Sequence, residues 1–376
     1  MSPAASPSGD NPLRVAVEAT SVLGARTGIG AMTAALLERF GRDRSLAVTG
    51  VVVSWRGRSA AAAAMPPGVG HRSLVFPARL AHRLWAWGAW PRVRGFDVVH
   101  GPNYVVPPGA GAAELVSLHD FGPWHFPELV TPHARAYPEL VDRALDRGAH
   151  LHVDSTFVGQ EATSILGVAP ERVHAVPLGF EASATGDPAR GRHLAGTDHY
   201  VVAIGTIEPR KDLPTLVAAM AELQSTTAPT LVVAGGDGWG TEAFEAAIDT
   251  HRAHRWVRRL GYVSDGDRAD LLAGAACLAF PSIYEGFGLP PLEAMSAGVP
   301  VVTTTAGSLP EVCGDGARYV PPGDASALAA ALADVLGDDD EAARLRAAGT
   351  ANIGRFSWDT MAADMADLYH RLAGGA

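Results

Sequence analysis

Residues Tyr284–Pro300 read YEGFGLPPLEAMSAGVP, and the rest of the chain is organised around them. Glu285 and Glu293 stand eight positions apart, with Gly286, Phe287, Gly288, Leu289, Pro290 and Pro291 among the residues between. The apolar run Cys277–Phe280 comes before and Val299–Thr304 after. A short apolar run predicts a buried strand. The two glycines permit backbone angles that other residues avoid and let a ligand approach the main chain. The two prolines suit a first helical turn, whose N–H groups have no intrahelical partner. Gly298 and Pro300 end the helix. The stretch therefore predicts strand, glycine loop, helix, strand, with open amides facing the loop as in phosphate sites. Glu285 falls in the loop and Glu293 in the first helical turn, where either both reach one ligand or Glu293 simply answers the helix dipole.

Working upstream, strand Tyr200–Gly205 runs into Thr206-Ile-Glu208-Pro-Arg210-Lys211-Asp212, and Leu213, Leu216, Val217, Met220 and Leu223 make the apolar stripe of a helix. Arg210 and Lys211, at a strand end beside a helix start, fit a diphosphate, the arginine as a fork and the lysine as a point charge. Thr230–Ala234 is a strand before the turn Gly235–Gly240, and Val257–Leu260 is another before Gly261, Tyr262 and Val263.

The N-terminal half repeats the alternation. Leu13–Ala19 is a strand, Gly28-Ile-Gly30 a tight turn leading into a helix, and strands follow near 47–54, 97–100, 114–118 and 150–154. Such alternation predicts parallel sheets with helices on both faces. In open sheets of this kind ligands bind beyond the strand carboxyl ends, which makes His119 and Asp120 candidates. The Ala60–Ala64 run reads as a low-complexity loop, and Phe180–His199 as a linker. Arg79–Arg94, RLAHRLWAWGAWPRVR, places Leu80, Leu84 and Trp87 on one helical face among arginines. It either lies on an anionic membrane or packs its tryptophans into the domain.

The 376 residues predict two domains. A net charge of −10 disfavours nucleic acid as a partner. Cys277 and Cys313 have no metal-ligand spacing and read as buried thiols in a reducing cytoplasm. Residues 1–12 lack a signal-peptide core and read as a disordered tail. No Asp-x-Asp cluster sits at a strand end to hold a divalent ion.

The phrase Glu285-Gly-Phe-Gly-Leu-Pro-Pro-Leu-Glu293 closely resembles the E-x7-E signature of family-four glycosyltransferases, the retaining group 1 enzymes of the GT-B fold. Leu118-His119-Asp120 resembles their N-domain motif. Val173–Gly179 resembles their interdomain phrase, with Leu178 where asparagine is common. Gly205–Asp212 resembles the mannosyltransferase-like branch, with Thr206 where many members carry arginine. The resemblance covers nearly all of Leu13–Leu372. It implies two Rossmann-like α/β domains facing each other across a cleft. The acceptor domain is 13–182 with a returning helix 357–376, the linker is 183–198, and the donor domain is 199–356. It further implies His119 and Glu285 on the donor sugar, Glu293 on ribose hydroxyls, and the base beside Gly261, Tyr262 and Val263. Arg210, Lys211 and the Gly286–Leu289 amides fall on the diphosphate, and Gly28 and Gly30 give it and the acceptor close backbone access. No metal and no cofactor is implied. The donor is a nucleotide-diphosphate sugar, GDP-mannose by branch style, with UDP-sugars open. The acceptor is a saccharide, a lipid-linked sugar or a small metabolite. A sugar phosphorylase, a nucleotide-sugar epimerase and a non-catalytic partner subunit are the other readings.

Overall fold

The computed structural model describes residues 11–375 except 24–27, 56, 88–89, 133, 182–184 and 225–228. All but two residues of the expected tail 1–12 lie outside the described residues, as does part of the expected linker 183–198. The chain forms two compact units. The first runs to Asp154 and adds Gly159–Gly179 and the segment from Trp358 onward; the second is Ser155–Val158 with Phe180–Ser357.

The first unit holds β1 (Leu13–Glu18), β2 (Leu46–Val53), β3 (Gly70–Leu74), β4 (Val98–Gly101), β5 (Ala113–Leu118), β6 (His150–Val153) and β7 (Val173–Ala175). They form one sheet in the order β3-β2-β1-β4-β5-β6-β7, every pair parallel. The second unit holds β8 (Tyr200–Ile204), β9 (Thr230–Ala234), β10 (Val257–Gly261), β11 (Cys277–Phe280), β12 (Val301–Thr304) and β13 (Ala317–Val320), in the order β10-β9-β8-β11-β12-β13, again all parallel. The central strands are buried apolar runs (VVAI in β8, CLAF in β11), as parallel strands covered on both faces must be. In each sheet the strand order reverses beside the first strand, and such switch points open binding crevices at the carboxyl edge.

The helix Leu213–Leu223 buries Leu213, Leu216, Val217, Met220 and Leu223 against β8, β9 and β11. At about 1.5–3 kcal/mol per fully buried large apolar side chain, this stripe anchors the second core. The helix Trp358–Gly374 belongs to the first unit. It packs on helix Gly28–Phe40, with Arg39 Nε 2.6 Å from Asp359 and the Phe40 and Tyr369 rings 5.5 Å apart.

Several elements differ from expectation. The alanine run is a helix, Arg58–Ala64, because alanine has the highest helix propensity and no proline interrupts it before Pro66. The expected linker carries helix Pro188–Ala195. Asp187 caps its start, accepting from the Ala189 amide at 2.9 Å, and Gly196 closes it at φ 66. Its side packs on helix Asp265–Gly274. Strands β3, β7 and β13 went unread. β3 is an edge strand, GHRSL, with too little apolar alternation to register as one. Gly28 and Gly30 lie inside the first turn of helix Gly28–Phe40, not in a turn before it.

Candidate active site

The second unit brings Arg210, Lys211 and Glu285 together. Arg210 and Lys211 sit in a 3-10 turn (Pro209–Lys211) just past β8, and Glu285 just past the neighbouring β11. Lys211 Nζ lies 2.5 Å from Glu285 Oε1, and Arg210 Nη1 lies 2.8 Å from Glu285 Oε2. Arg210 also donates to the Tyr284 carbonyl at 3.0 Å and pairs with Glu208 Oε1 at 2.7 Å. The Lys211 ammonium stands 4.2 Å from the centre of the Phe280 ring. Burial alone would push the Glu285 carboxyl up, but Lys211 and then Arg210 outweigh it and hold it below the usual carboxylate range. Glu208, Arg210, Lys211 and Glu285 thus form a charge-balanced cluster in a largely dry setting.

The glycine loop after Glu285 is shaped by its backbone. Gly288 has φ 102, a left-handed conformation, and a Cβ there would also meet Leu309 at 2.9 Å. Ser308 Oγ donates toward the carbonyls of Glu285 and Phe287, and the Ser308 amide also bonds Glu285. Phe287 is buried, edge-on to Phe356. Helix Leu289–Ser296 then starts at the loop, with Pro290 and Pro291 in its first turn. Glu293 falls beyond the first turn, which corrects the expected dipole placement. Its carboxylate pairs with Arg268 at 3.1 Å, on a cavity of about 280 Å³ also lined by Thr185, Gly186, Leu272 and Ser296. Burial pushes the Glu293 carboxyl up, against the pull of Arg268. The two glutamates therefore have separate partners. Gly261 adopts φ 68 at the carboxyl edge, with Tyr262 almost fully exposed and Val263 half-buried beside it.

In the first unit His119 follows β5. Its Nδ1 lies 2.7 Å from Asp154 Oδ2, at the end of β6, and its Nε2 lies 2.8 Å from the Pro102 carbonyl, just past β4. Burial by itself would lower the imidazole. The Asp154 carboxylate, then the Pro102 carbonyl and Asp120, overcome it and raise it to about 9. Asp120 serves its own loop. Its Oδ1 accepts from the Gly122 amide at 2.8 Å and the Tyr104 hydroxyl at 3.0 Å. Gly28 has open space where a Cβ would stand.

Sequence reasoning missed Glu208, Arg268 and Asp154. Each acts through a partner, and two of those partners are distant in the chain. Glu208 alone carried a local signal, two residues before Arg210.

Helix Ala78–Trp87 resolves the basic aromatic stretch. Its buried side is Ala81, Trp85 and Ala86, packed with Val53, Val105 and Leu140. The Trp85 indole donates to the Pro91 carbonyl at 3.1 Å. Leu80, Trp87 and Trp90 are exposed, at 44%, 81% and 61%. The expected Leu80–Leu84–Trp87 face is thus the outer one. A cleft of about 490 Å³ between this helix and helix Tyr137–Asp146 is lined by Arg79, Arg83, Trp87 and Glu139.

Two parallel Rossmann-like sheets, each with polar and charged groups gathered at its carboxyl edge, define the GT-B class. The comparisons give the family. The model for group 1 glycosyl transferases matches residues 189–352. O-antigen chain mannosyltransferase B of Escherichia coli is 31% identical over 80% of this chain and 80% of its own length. Sucrose-phosphate synthase from Thermosynechococcus elongatus superposes with a TM-score of 0.73 at 20% identity, over 97% of this chain and all of that one. Anabaena HepE in complex with UDP does so at 0.70 and 19%, over 96% of this chain and all of that one. The chain belongs to the group 1 glycosyltransferases. It is an enzyme of the GT-B fold with mannosyltransferases among its relatives. Among the described residues no helix is long and apolar enough to cross a membrane.

Proposed function

We propose that this glycosyltransferase is retaining and metal-independent, and that it moves a hexose from a nucleotide-diphosphate sugar to a saccharide, lipid-linked or small-molecule acceptor in the cytoplasm. The observation that carries this reading is the convergence of Arg210 and Lys211 on Glu285 at the carboxyl edge of the second sheet. As the glycosidic bond breaks, negative charge builds on the leaving diphosphate. Two prepositioned cations and a helix start supply the stabilisation that a metal would otherwise give. Glu293, on its cavity, suits hydroxyl groups of a ribose. Mannose from GDP-mannose is the favoured donor, supported by the mannosyltransferase relative; HepE with UDP keeps a UDP-sugar as the competing choice.

The test is thermal stabilisation by a panel of sugar nucleotides with chelator present. A ligand bound only by the folded state raises the apparent stability, by about 2.7 kcal/mol at a hundredfold excess over Kd. A shift with GDP-mannose that disappears in Arg210→Ala supports the proposal. A shift with a UDP-sugar instead changes the donor, and no shift with any of them overturns the site.

We also propose peripheral contact with anionic membrane through Arg79–Arg94. Trp87, Trp90 and Leu80 stand outside the fold beside Arg79 and Arg83, in a protein of net charge −10. Exposed aromatics flanked by arginines fit an interfacial surface. Co-sedimentation with phosphatidylglycerol vesicles, unchanged after Trp87→Ala and Trp90→Ala together, would end this idea.

A further inference from the structure

His100 in β4 and His152 in β6 flank His119, just past β5, and what their ring nitrogens face separates the three. His152 Nε2 meets the Val176 carbonyl at 3.0 Å, which can only accept, so the proton is on Nε2. Its Nδ1 then accepts from the Ser117 hydroxyl at 2.8 Å. Ser117 Oγ in turn accepts from His100 Nε2 at 2.8 Å, and His100 Nδ1 accepts from the Tyr369 hydroxyl at 2.7 Å. With both imidazoles neutral, every ring nitrogen and hydroxyl in this chain finds a matching partner. Their burial agrees, since it lowers both groups.

His119 cannot be satisfied that way. Its two nitrogens face two acceptors, the Asp154 carboxylate and the Pro102 carbonyl. A neutral ring would set a bare nitrogen lone pair against one of them. Asp154 makes the same demand from its own side. It is 1% exposed, its Oδ2 bonds His119, and its Oδ1 has no hydrogen-bond partner among the described residues, with His152 Nε2 standing 4.0 Å away. A buried carboxylate this poorly solvated needs a countercharge. The charged groups that bear on His119 are Asp154 and Asp120; His152 and His100 are neutral in this arrangement, and the Tyr104 ring lies 5.9 Å away, nearly perpendicular.

We propose that Asp154 is a positioning residue that keeps His119 doubly protonated at neutral pH, so that His119 serves sugar transfer as a fixed cation and not as a proton acceptor. This rests on the reading of the chain as a sugar-nucleotide transferase. With both nitrogens protonated, His119 has no lone pair to take the acceptor's proton. In the transfer, the bond from the anomeric carbon to the diphosphate oxygen breaks with its electron pair on that oxygen. A new bond forms from the acceptor oxygen to the same carbon. The acceptor proton then leaves with the departing diphosphate.

The experiment is long-range 15N–1H NMR of the protein labelled at histidine nitrogens, with His119 assigned from the His119→Gln spectrum. The expected result is that both His119 nitrogens remain protonated at pH 8 in the wild-type protein. In Asp154→Asn, His119 should titrate below pH 7, and kcat/KM should fall on the order of tenfold to a hundredfold. The loss should grow as pH rises through the lowered titration, and Asp154→Glu should restore it in part. A neutral His119 at pH 7 in the wild type overturns the proposal even if Asp154→Asn fails to fold. An unmoved titration in Asp154→Asn, or lost protonation with an unchanged pH–rate profile, overturns it too. Wild-type protein that turns over no sugar nucleotide defeats the transferase reading, while the spectra still decide the pair.

Discussion

At the carboxyl edge of the second sheet, Arg210 and Lys211 meet Glu285 and Glu208, two cations for two carboxylates. At the same edge of the first sheet, one imidazole meets one carboxylate, with a neutral histidine–serine–tyrosine chain behind it. The difference lies in what makes each charge. Arginine is charged wherever the chain puts it, and the fold only aims Arg210, while burial lowers Lys211 against the pull of Glu285. His119 acquires its charge from its neighbours, so position decides chemistry as well as direction. One edge can therefore be broken by removing a residue, and the other by changing a partner.

The sharpest break is Lys211→Ala. If the second edge stabilises the leaving group, kcat should fall on the order of 10²–10³-fold, as for loss of one preorganised donor. Steady-state kinetics with the donor that stabilises the protein would show it. A fall of under threefold would mean that the cations only balance Glu285.

Next comes the pH dependence of stability. The folded state raises His119 from 6.5 to about 9, so its contribution is complete below pH 6.5 and is lost as pH rises through 9. At about 1.36 kcal/mol per unit, the loss on that limb is about 3 kcal/mol. Urea unfolding at pH 6 and pH 9.5 measures it, and the difference should vanish in Asp154→Asn. An equal difference in the variant would place its origin elsewhere.

Glu293→Gln probes the far side of the second edge, where the carboxylate has one cation, Arg268, and an open cavity. Donor Kd should rise about tenfold, the size of one charge-assisted hydrogen bond. Isothermal titration reads this, and an unchanged Kd would take the ribose out of that cavity. The smallest effect is Arg83→Ala, which should weaken binding to anionic vesicles about fivefold, about 1 kcal/mol for one arginine at a charged surface.

Much of this architecture was legible in the chain. The alternation of apolar runs and helical stripes reports burial on a fixed period, and it predicted the parallel sheets. The second site edge was readable because Glu208–Lys211 and Glu285–Glu293 are each continuous phrases, and neighbours in sequence stay neighbours in a turn or a helix. The helix Pro188–Ala195 had its signals in Asp187, Pro188 and Gly196, but eight residues of mixed composition hid them. β3 was invisible because an edge strand buries little.

By itself the sequence determined the two sheets, the glycine loop and the permanent charge of Arg210 beside Lys211. Only the tertiary structure decided which carboxylate each cation meets, that Glu293 lies beyond the first helical turn beside Arg268, and that Trp85 is core while Trp87 is exposed. It alone decided the charge of His119. Asp154 is 35 residues away along the chain, and parallel pairing of β5 with β6 sets it 2.7 Å from the ring. A protonation state depends on the nearest charges and acceptors in space, and strand register, not sequence order, supplies those neighbours.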